Sequence, residues 1–307
     1  MAAEWAVTPG WCPSMTRERS VTDVLELPTA EHSPSLATTI IRPSSGWSTL
    51  RLRELWDYRE LIYFLIWSGL KIRYKQTIMG AAWAIMQPFF TMVVFSIFFG
   101  RLAGISSGDV PYPVFAYCAL VPWTYFANAL SDSGNSLLQY QGVITKVYFP
   151  RLIIPIASIL GGLVDGFIAF VVLLGMLLVY GIVPSFNLLL LPLFVLLASI
   201  SALGTGCLLS ALNVQYRDVR YVIPFLIQIW LFCTPIAYPS SLVPQRWRPL
   251  YGLNPMVGVT EGFRWALLGE SKSLGVPFVA SVLAALGMLI IGLLYFRRVE
   301  RTFADVV

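Results

Sequence analysis

The chain has 307 residues, of which 57% are hydrophobic and only 12% charged, about half the charged share of an average soluble domain. Its mean hydropathy is +0.72. Too few polar side chains exist to cover a soluble surface, so the long uncharged stretches outweigh length and indicate one membrane domain. The net charge of +5 reads as loops retained in the cytoplasm and makes no case for nucleic acid. Cys12, Cys118, Cys207 and Cys233 are scattered, without a CxxC pair or a Cys/His spacing that could close around zinc, and His32 is the single histidine. A Ser-His-Asp triad, an HExxH helix and a His-ligated metal each lack a part, so neither a catalytic residue nor a metal ligand is predicted.

Residues 1–48 mix Pro, Ser, Thr and both charge signs without an apolar period, as in Pro28-Thr-Ala-Glu-His-Ser-Pro34, which predicts a disordered cytoplasmic tail. An amphipathic interface helix is expected within 49–77. Arg53, Asp57, Glu60, Ser68, Lys71 and Lys75 fall near one stripe, with Leu55, Trp56, Ile62, Tyr63, Ile66 and Trp67 opposite and Phe64 interrupting the polar side. Its uncharged core from Leu61 to Leu70 rises about 15 Å, half the hydrocarbon thickness, so it is expected to lie on the membrane without crossing it.

Residues 78–307 are predicted to form an all-α integral membrane domain of six transmembrane helices. The gaps between charges give spans at 76–100, 110–131, 221–245 and 273–296. Between Arg151 and Arg217 only Asp165 is charged, and Gly181-Ile-Val-Pro-Ser-Phe-Asn187 turns the chain midway, making two more. Counting cations near span ends gives thirteen inside (Arg51, Arg53, Arg59, Lys71, Arg73, Lys75, Lys146, Arg151, Arg217, Arg220, Arg297, Arg298, Arg301) against five outside (Arg101, Arg246, Arg248, Arg264, Lys272). That balance places both termini in the cytoplasm.

Asp165 is the sole ionisable group expected deep in a span, about 21 Å from the cytoplasmic end of its helix. Insertion of Asp costs about 3 kcal/mol centrally, but the eighteen Leu, Ile, Val and Phe residues between Leu152 and Val179 outweigh it at roughly 0.3 to 0.6 kcal/mol each. A proton relay or pore-lining group is one reading and an acid hydrogen-bonded to another helix the other; the second is favoured because a lone acid has no relay partner. Tyr112, Phe115, Tyr117, Trp123, Tyr125 and Phe126 cluster in the second span, where aromatic faces could receive sugar rings or simply pack. After the fifth span, Asn254 can cap a helix beginning at Pro255 and ending at Gly269. Its mixture of Met256, Val257, Phe263 and Trp265 with Glu261 and Arg264 suggests a re-entrant or interfacial segment buried against protein. No GxxxxGK[ST] occurs, so ATP, if used, is hydrolysed on another chain.

Several segments together carry a resemblance: Trp56-Asp-Tyr-Arg-Glu-Leu-Ile, Lys71-Ile-Arg-Tyr-Lys-Gln-Thr77, Gly80-Ala-Ala-Trp-Ala-Ile-Met-Gln-Pro88, Val121-Pro-Trp123, Lys146-Val-Tyr-Phe-Pro-Arg151, Asn213-Val-Gln-Tyr-Arg-Asp218 and Leu253-Asn-Pro-Met256. In order over about residues 50–307, they resemble the membrane subunit of type 2 ABC exporters for polysaccharides, the O-antigen, capsule and teichoic-acid permeases. The resemblance implies a homodimer with two ATPase subunits in the bacterial plasma membrane, and ATP and magnesium held by the ATPase. It also implies a channel lined by the first and fifth spans that passes a lipid-linked glycan. On this reading Lys146, Phe149 and Arg151 within 132–151 contact the ATPase. Tyr112, Trp123, Tyr125, Phe126 and Trp230 line the glycan path, and Asn254, Pro255, Glu261 and Arg264 belong to external gate helices within 238–275. The alternatives are a type 2 ABC exporter of a drug or lipid, a proton-coupled carrier using Asp165, and a membrane enzyme acting on lipid-linked sugars, for which paired acids or a metal site are lacking.

Overall fold

Proline, glycine and charge positions divide the apolar sequence into helices, and in the computed structural model every regular element among the described residues, 56–75, 82–108, 110–269 and 275–300, is helical. The tail 1–48, the ends of the interface-helix segment and the cations Lys272 and Arg301 lie outside them. Helix α1 is Arg59–Lys75. Helix α2, Ala82–Phe95, continues as a π-helical stretch Ser96–Leu102. Helix α3 is Tyr112–Gln139, followed by the one-turn α4, Gln141–Ile144. Helix α5 is Ile153–Val179, and a 3₁₀ turn at Phe186–Leu190 leads into α6, Leu191–Gln215. Helix α7 is Val219–Phe232, α8 is Arg248–Tyr251, α9 is Pro255–Leu268 and α10 is Gly275–Glu300.

Four of these segments are long and apolar enough to cross a membrane: Ala82–Leu102, Ile153–Val179, Phe186–Gln215 and Gly275–Glu300. The other two expected spans differ for separate reasons. Helix α3, at 28 residues, is about 42 Å long, but Ser131, Asp132, Ser133 and Asn135 reduce its hydropathy. Helix α7, at 14 residues, rises only about 21 Å, short of the roughly 30 Å hydrocarbon core. It stops at Phe232 instead of running to 245, because Pro235 disfavours helical geometry at Thr234.

Helix α3 is the core. Every residue from Val114 to Trp123 is buried, since α2, α5, α6, α7 and α9 all pack around it. A helix surrounded by protein can hold more polar groups than one facing lipid, which accounts for its composition. Helix α10 lies against α6 so closely that a Cβ on Gly292 would fall 1.9 Å from the Gly204 carbonyl oxygen. Small residues allow such backbone contact in membranes, where dispersion replaces the hydrophobic effect between helices.

Helix α1 does not follow the expected division into faces. Leu61, Ile62, Leu65 and Ile66 pack into a cluster with Leu137, Ile144, Phe149, Leu152, Ile153 and Phe296, while Tyr63, Phe64 and Trp67 point outward beside Lys71. Phe64 therefore belongs to an outward aromatic face, where the Lys71 ammonium lies 5.6 Å from the Trp67 ring centroid. Aromatic rings interleaved with cations match the chemistry of a headgroup layer.

Candidate functional site

Two groups of residues draw on distant parts of the chain. The first joins α3, α7 and α9. Trp123 and Phe126 are one helical turn apart on α3, with ring centroids 5.6 Å apart, and Phe126 meets Trp230 of α7 edge to face at 5.0 Å. The Trp230 indole Nε1 donates to Asn254 Oδ1 at 2.8 Å. Asn254 Oδ1 also accepts from the Met256 amide at 3.0 Å, while Nδ2 donates to the Cys233 carbonyl at 3.0 Å and to Thr234 Oγ1 at 3.1 Å. The predicted cap, Pro255 in the first turn of α9 and the left-handed Gly269 (φ +67°) are all present.

Tyr112 donates to the Ala237 carbonyl at 2.6 Å. Arg264, counted among the outside cations and placed in a helix expected to be buried against protein, is only 3% exposed. Its guanidinium sits 3.6 Å from the Phe115 ring centroid and donates to the Ile236 carbonyl at 2.9 Å. The aromatic face and the carbonyl dipole compensate a charge that would otherwise be costly to bury. Glu261 is half-buried on the same helix.

Of the five aromatics expected along a glycan path, Tyr112, Trp123, Tyr125 and Phe126 are buried within the protomer and Trp230 is half-buried. As folded, they connect helices and form no open wall. Tyr125 stands apart from the rest, with its hydroxyl 2.6 Å from Ser199 Oγ on α6. Sequence reasoning did not single out Ser281, which accepts from the Gly258 amide at 3.1 Å and donates to the Gly252 carbonyl at 2.9 Å. It also missed Tyr251, whose hydroxyl is 2.9 Å from that of Tyr238; burial first and that hydrogen bond second push the Tyr251 phenol above its ordinary range. A serine on an apolar helix is the signal that could have found Ser281.

The second group surrounds the hairpin between α3 and α5. Residues Ile144 to Phe149, with Arg151, line a depression of about 310 Å³. Lys146 is exposed. Phe149, expected to seat in a partner's cleft, is 5% exposed and already held by Leu65, Leu137 and Phe296, whereas Tyr148 is 78% exposed. A side chain buried by its own protomer cannot anchor another, so the available aromatic is Tyr148. Arg151 is tied inward, donating through its guanidinium to the Glu300 carbonyl and through its backbone amide to Glu300 Oε1 at 3.3 Å.

Farther along α3 and α5, Asp165 is hydrogen-bonded to another helix, the favoured reading, but it is paired with a cation that the sequence did not suggest. Arg73 Nη1 and the Tyr74 hydroxyl of α1 both donate to it, and Arg73 Nη2 donates to Asp132 of α3. Charge gaps gave Asp165 a depth but could not reveal that α1 rises alongside α5. Among the described residues, no group of three or more His, Cys, Asp or Glu could hold a metal ion.

A protein-family comparison matches residues 60–268 to the ABC-2 type transporter. The chain belongs to the ABC-2 type transporter family. It is a multi-pass membrane permease subunit of an ABC-2 exporter, without an ATPase domain or a cofactor of its own, and works with an ATPase partner. It is similar to the O-antigen export system permease protein RfbA of Myxococcus xanthus, 28% identical over 216 residues, covering 69% of this chain and 82% of that protein. An RfbA from Klebsiella pneumoniae is 26% identical over 250 residues, covering 80% of this chain and 95% of its own length. The polysialic acid transport protein KpsM of Escherichia coli is 25% identical over 236 residues, 75% of this chain and 90% of that protein. In this ABC-2 permease, then, the buried aromatics and the α3–α5 hairpin are parts of a transport subunit.

Proposed function

We propose that this ABC-2 permease exports a lipid-linked polysaccharide across the bacterial plasma membrane, as a homodimer with two ATPase subunits. The carrying observation is that its similarity to O-antigen and polysialic acid export permeases covers 69% to 80% of the chain. Helix α3 and the short α7, extended by the chain beyond Phe232, complete six spans, both termini lie in the cytoplasm, and α8 and α9 form a re-entrant gate on the outer side.

The outward face of α7 supports a path between two copies. Tyr221, Phe225, Ile229 and Phe232 recur at helical spacing and are exposed in the protomer. Flat, sequence-tolerant rings suit sliding sugars. This face, more than the buried Tyr112, Trp123, Tyr125 and Phe126, is the wall we assign to the glycan, with Trp230 behind it. On the cytoplasmic side, Tyr148 and Lys146 meet the ATPase, while Phe149 and Arg151 hold the hairpin in shape.

Purification of the complex with its ATPase, reconstitution into vesicles, and measurement of ATP-dependent translocation of a polyprenyl-linked glycan test the reading. ATP-driven glycan uptake into inside-out vesicles is expected, with no ATP hydrolysis by the permease alone. Transport that needs a proton gradient and no ATPase, or hydrolysis stimulated by a drug or free lipid but not by the glycan, would overturn it.

A further inference from the structure

The α3–α5 hairpin is bridged at two levels by the same helix. At its cytoplasmic end Leu65 of α1 packs with Leu137, Ile144 and Phe149. Eight residues on, about 12 Å along α1, the Arg73 fork spans Asp132 of α3 and Asp165 of α5 while Tyr74 adds a second donor to Asp165. Asp165 is 9% exposed, so its carboxylate is held largely out of water, where loss of its partner leaves it uncompensated; the Arg73 and Asp132 side chains keep 37% and 33% of their surface exposed. A planar guanidinium can hold two carboxylates at once; an ammonium has no such fork.

We propose that Arg73 is a positioning residue for transport, joining α1, α3 and α5 so that α1 travels with the hairpin when the ATPase displaces it. Apolar contact alone lets helices slide, because dispersion is non-directional. The two-armed ion pair removes that freedom. Displacement of residues 140–152 is therefore passed to α1 as a rigid-body movement, and α1 leads in the sequence toward α2. This inference rests on the ABC-2 permease reading but not on which cargo is carried.

The test uses the full permease–ATPase complex, with Arg73→Ala, Arg73→Lys and the exchange Arg73→Asp/Asp165→Arg. Exported molecules per ATP hydrolysed are expected to fall about tenfold in Arg73→Ala, within the usual range of coupling between sites, and substantially in Arg73→Lys. Hydrolysis itself should continue. The exchange keeps one arginine and two aspartates in the node and is expected to recover most of the ratio. Wild-type coupling in Arg73→Lys overturns the proposal even if Arg73→Ala fails to assemble.

A cargo-independent measurement places spin labels by Tyr63→Cys on α1, Val143→Cys in the hairpin and Leu283→Cys on α10, in a background without native cysteines. On adding an ATP analogue, the 63–143 distance should stay fixed while the 143–283 distance changes. In Arg73→Ala the 63–143 distance should change too. Separation of α1 from the hairpin with Arg73 intact overturns the proposal. Concerted movement without glycan export would instead refute the glycan reading and leave this one standing.

Discussion

The indole N–H of Trp230 and the backbone amide of Met256 share one acceptor, Asn254 Oδ1, at 2.8 Å and 3.0 Å. The first turn of α9 is thus capped by a group that α7 holds in place. Asn254→Ala removes the cap, worth about 1 kcal/mol, and leaves the Trp230 donor without this acceptor. Trp230→Phe keeps a ring against Phe126 and leaves the cap intact. Thermal unfolding of the detergent-purified complex should show Asn254→Ala as the more destabilised of the two. The reverse order would mean that ring volume, not the shared acceptor, holds the junction.

Tyr148 and Phe149 are neighbours with opposite environments, and alanine at each should fail differently. Phe149→Ala opens a cavity in the cluster containing Leu65 and Phe296, at about 3 kcal/mol or more, so lower yield and melting temperature are expected. Tyr148→Ala should express normally yet bind the ATPase more weakly, by about 2 kcal/mol if it is a buried anchor in the complex. Pull-down of the ATPase, scored beside melting temperature, separates them. Normal stability with lost ATPase in Phe149→Ala would return the anchor to Phe149.

Single cysteines in a Cys-free background report the proposed six-span arrangement. Lys146→Cys and Arg217→Cys should react with an impermeant maleimide only from the cytoplasm, and Ser107→Cys only from outside. The background must lack Cys233 in particular, because it is exposed whereas Cys118 and Cys207 are buried. Labelling of Ser107→Cys from the cytoplasm would invert the orientation.

The helix junctions were the most legible part of the chain, because caps and breakers act locally. Asn254, Pro255 and Gly269 gave both ends of α9, and Gly181 marked the break before α6. Burial around a helix is not local. The aromatics of α3 read either as a path wall or as packing, and only the five neighbouring helices show that they are buried within the protomer. Arg264 counted as a loop cation until Phe115 and Ile236 were placed around it. Arg73 lies 92 residues from Asp165 and 59 from Asp132, and no period or spacing links such positions. The 145–152 turn also has too few residues to establish which side faces inward, hence the exchange of Tyr148 for Phe149.

Gly292→Ala should damage the protein more than its small size suggests, since the added Cβ would fall 1.9 Å from the Gly204 oxygen. Gly287→Ala on the same helix meets nothing within 4 Å and should be neutral or stabilising by about 0.5–1 kcal/mol through helix propensity. Size-exclusion yield and melting temperature compare them; equal tolerance would show that α6 and α10 can part freely.

Where Gly204 meets Gly292 the backbones leave no room for even a Cβ, so α6 and α10 cannot step to a register that brings a larger residue to that crossing. Such a pair behaves as a stator. Any swing of the hairpin must be absorbed at a neighbouring seam, and the tight one is between α3 and α6, where a Cβ on Gly206 would fall 2.3 Å from Ser133 Oγ. With so little clearance there, α3 cannot lean toward α6 at Ser133, and a tilt of α3 has to open that seam.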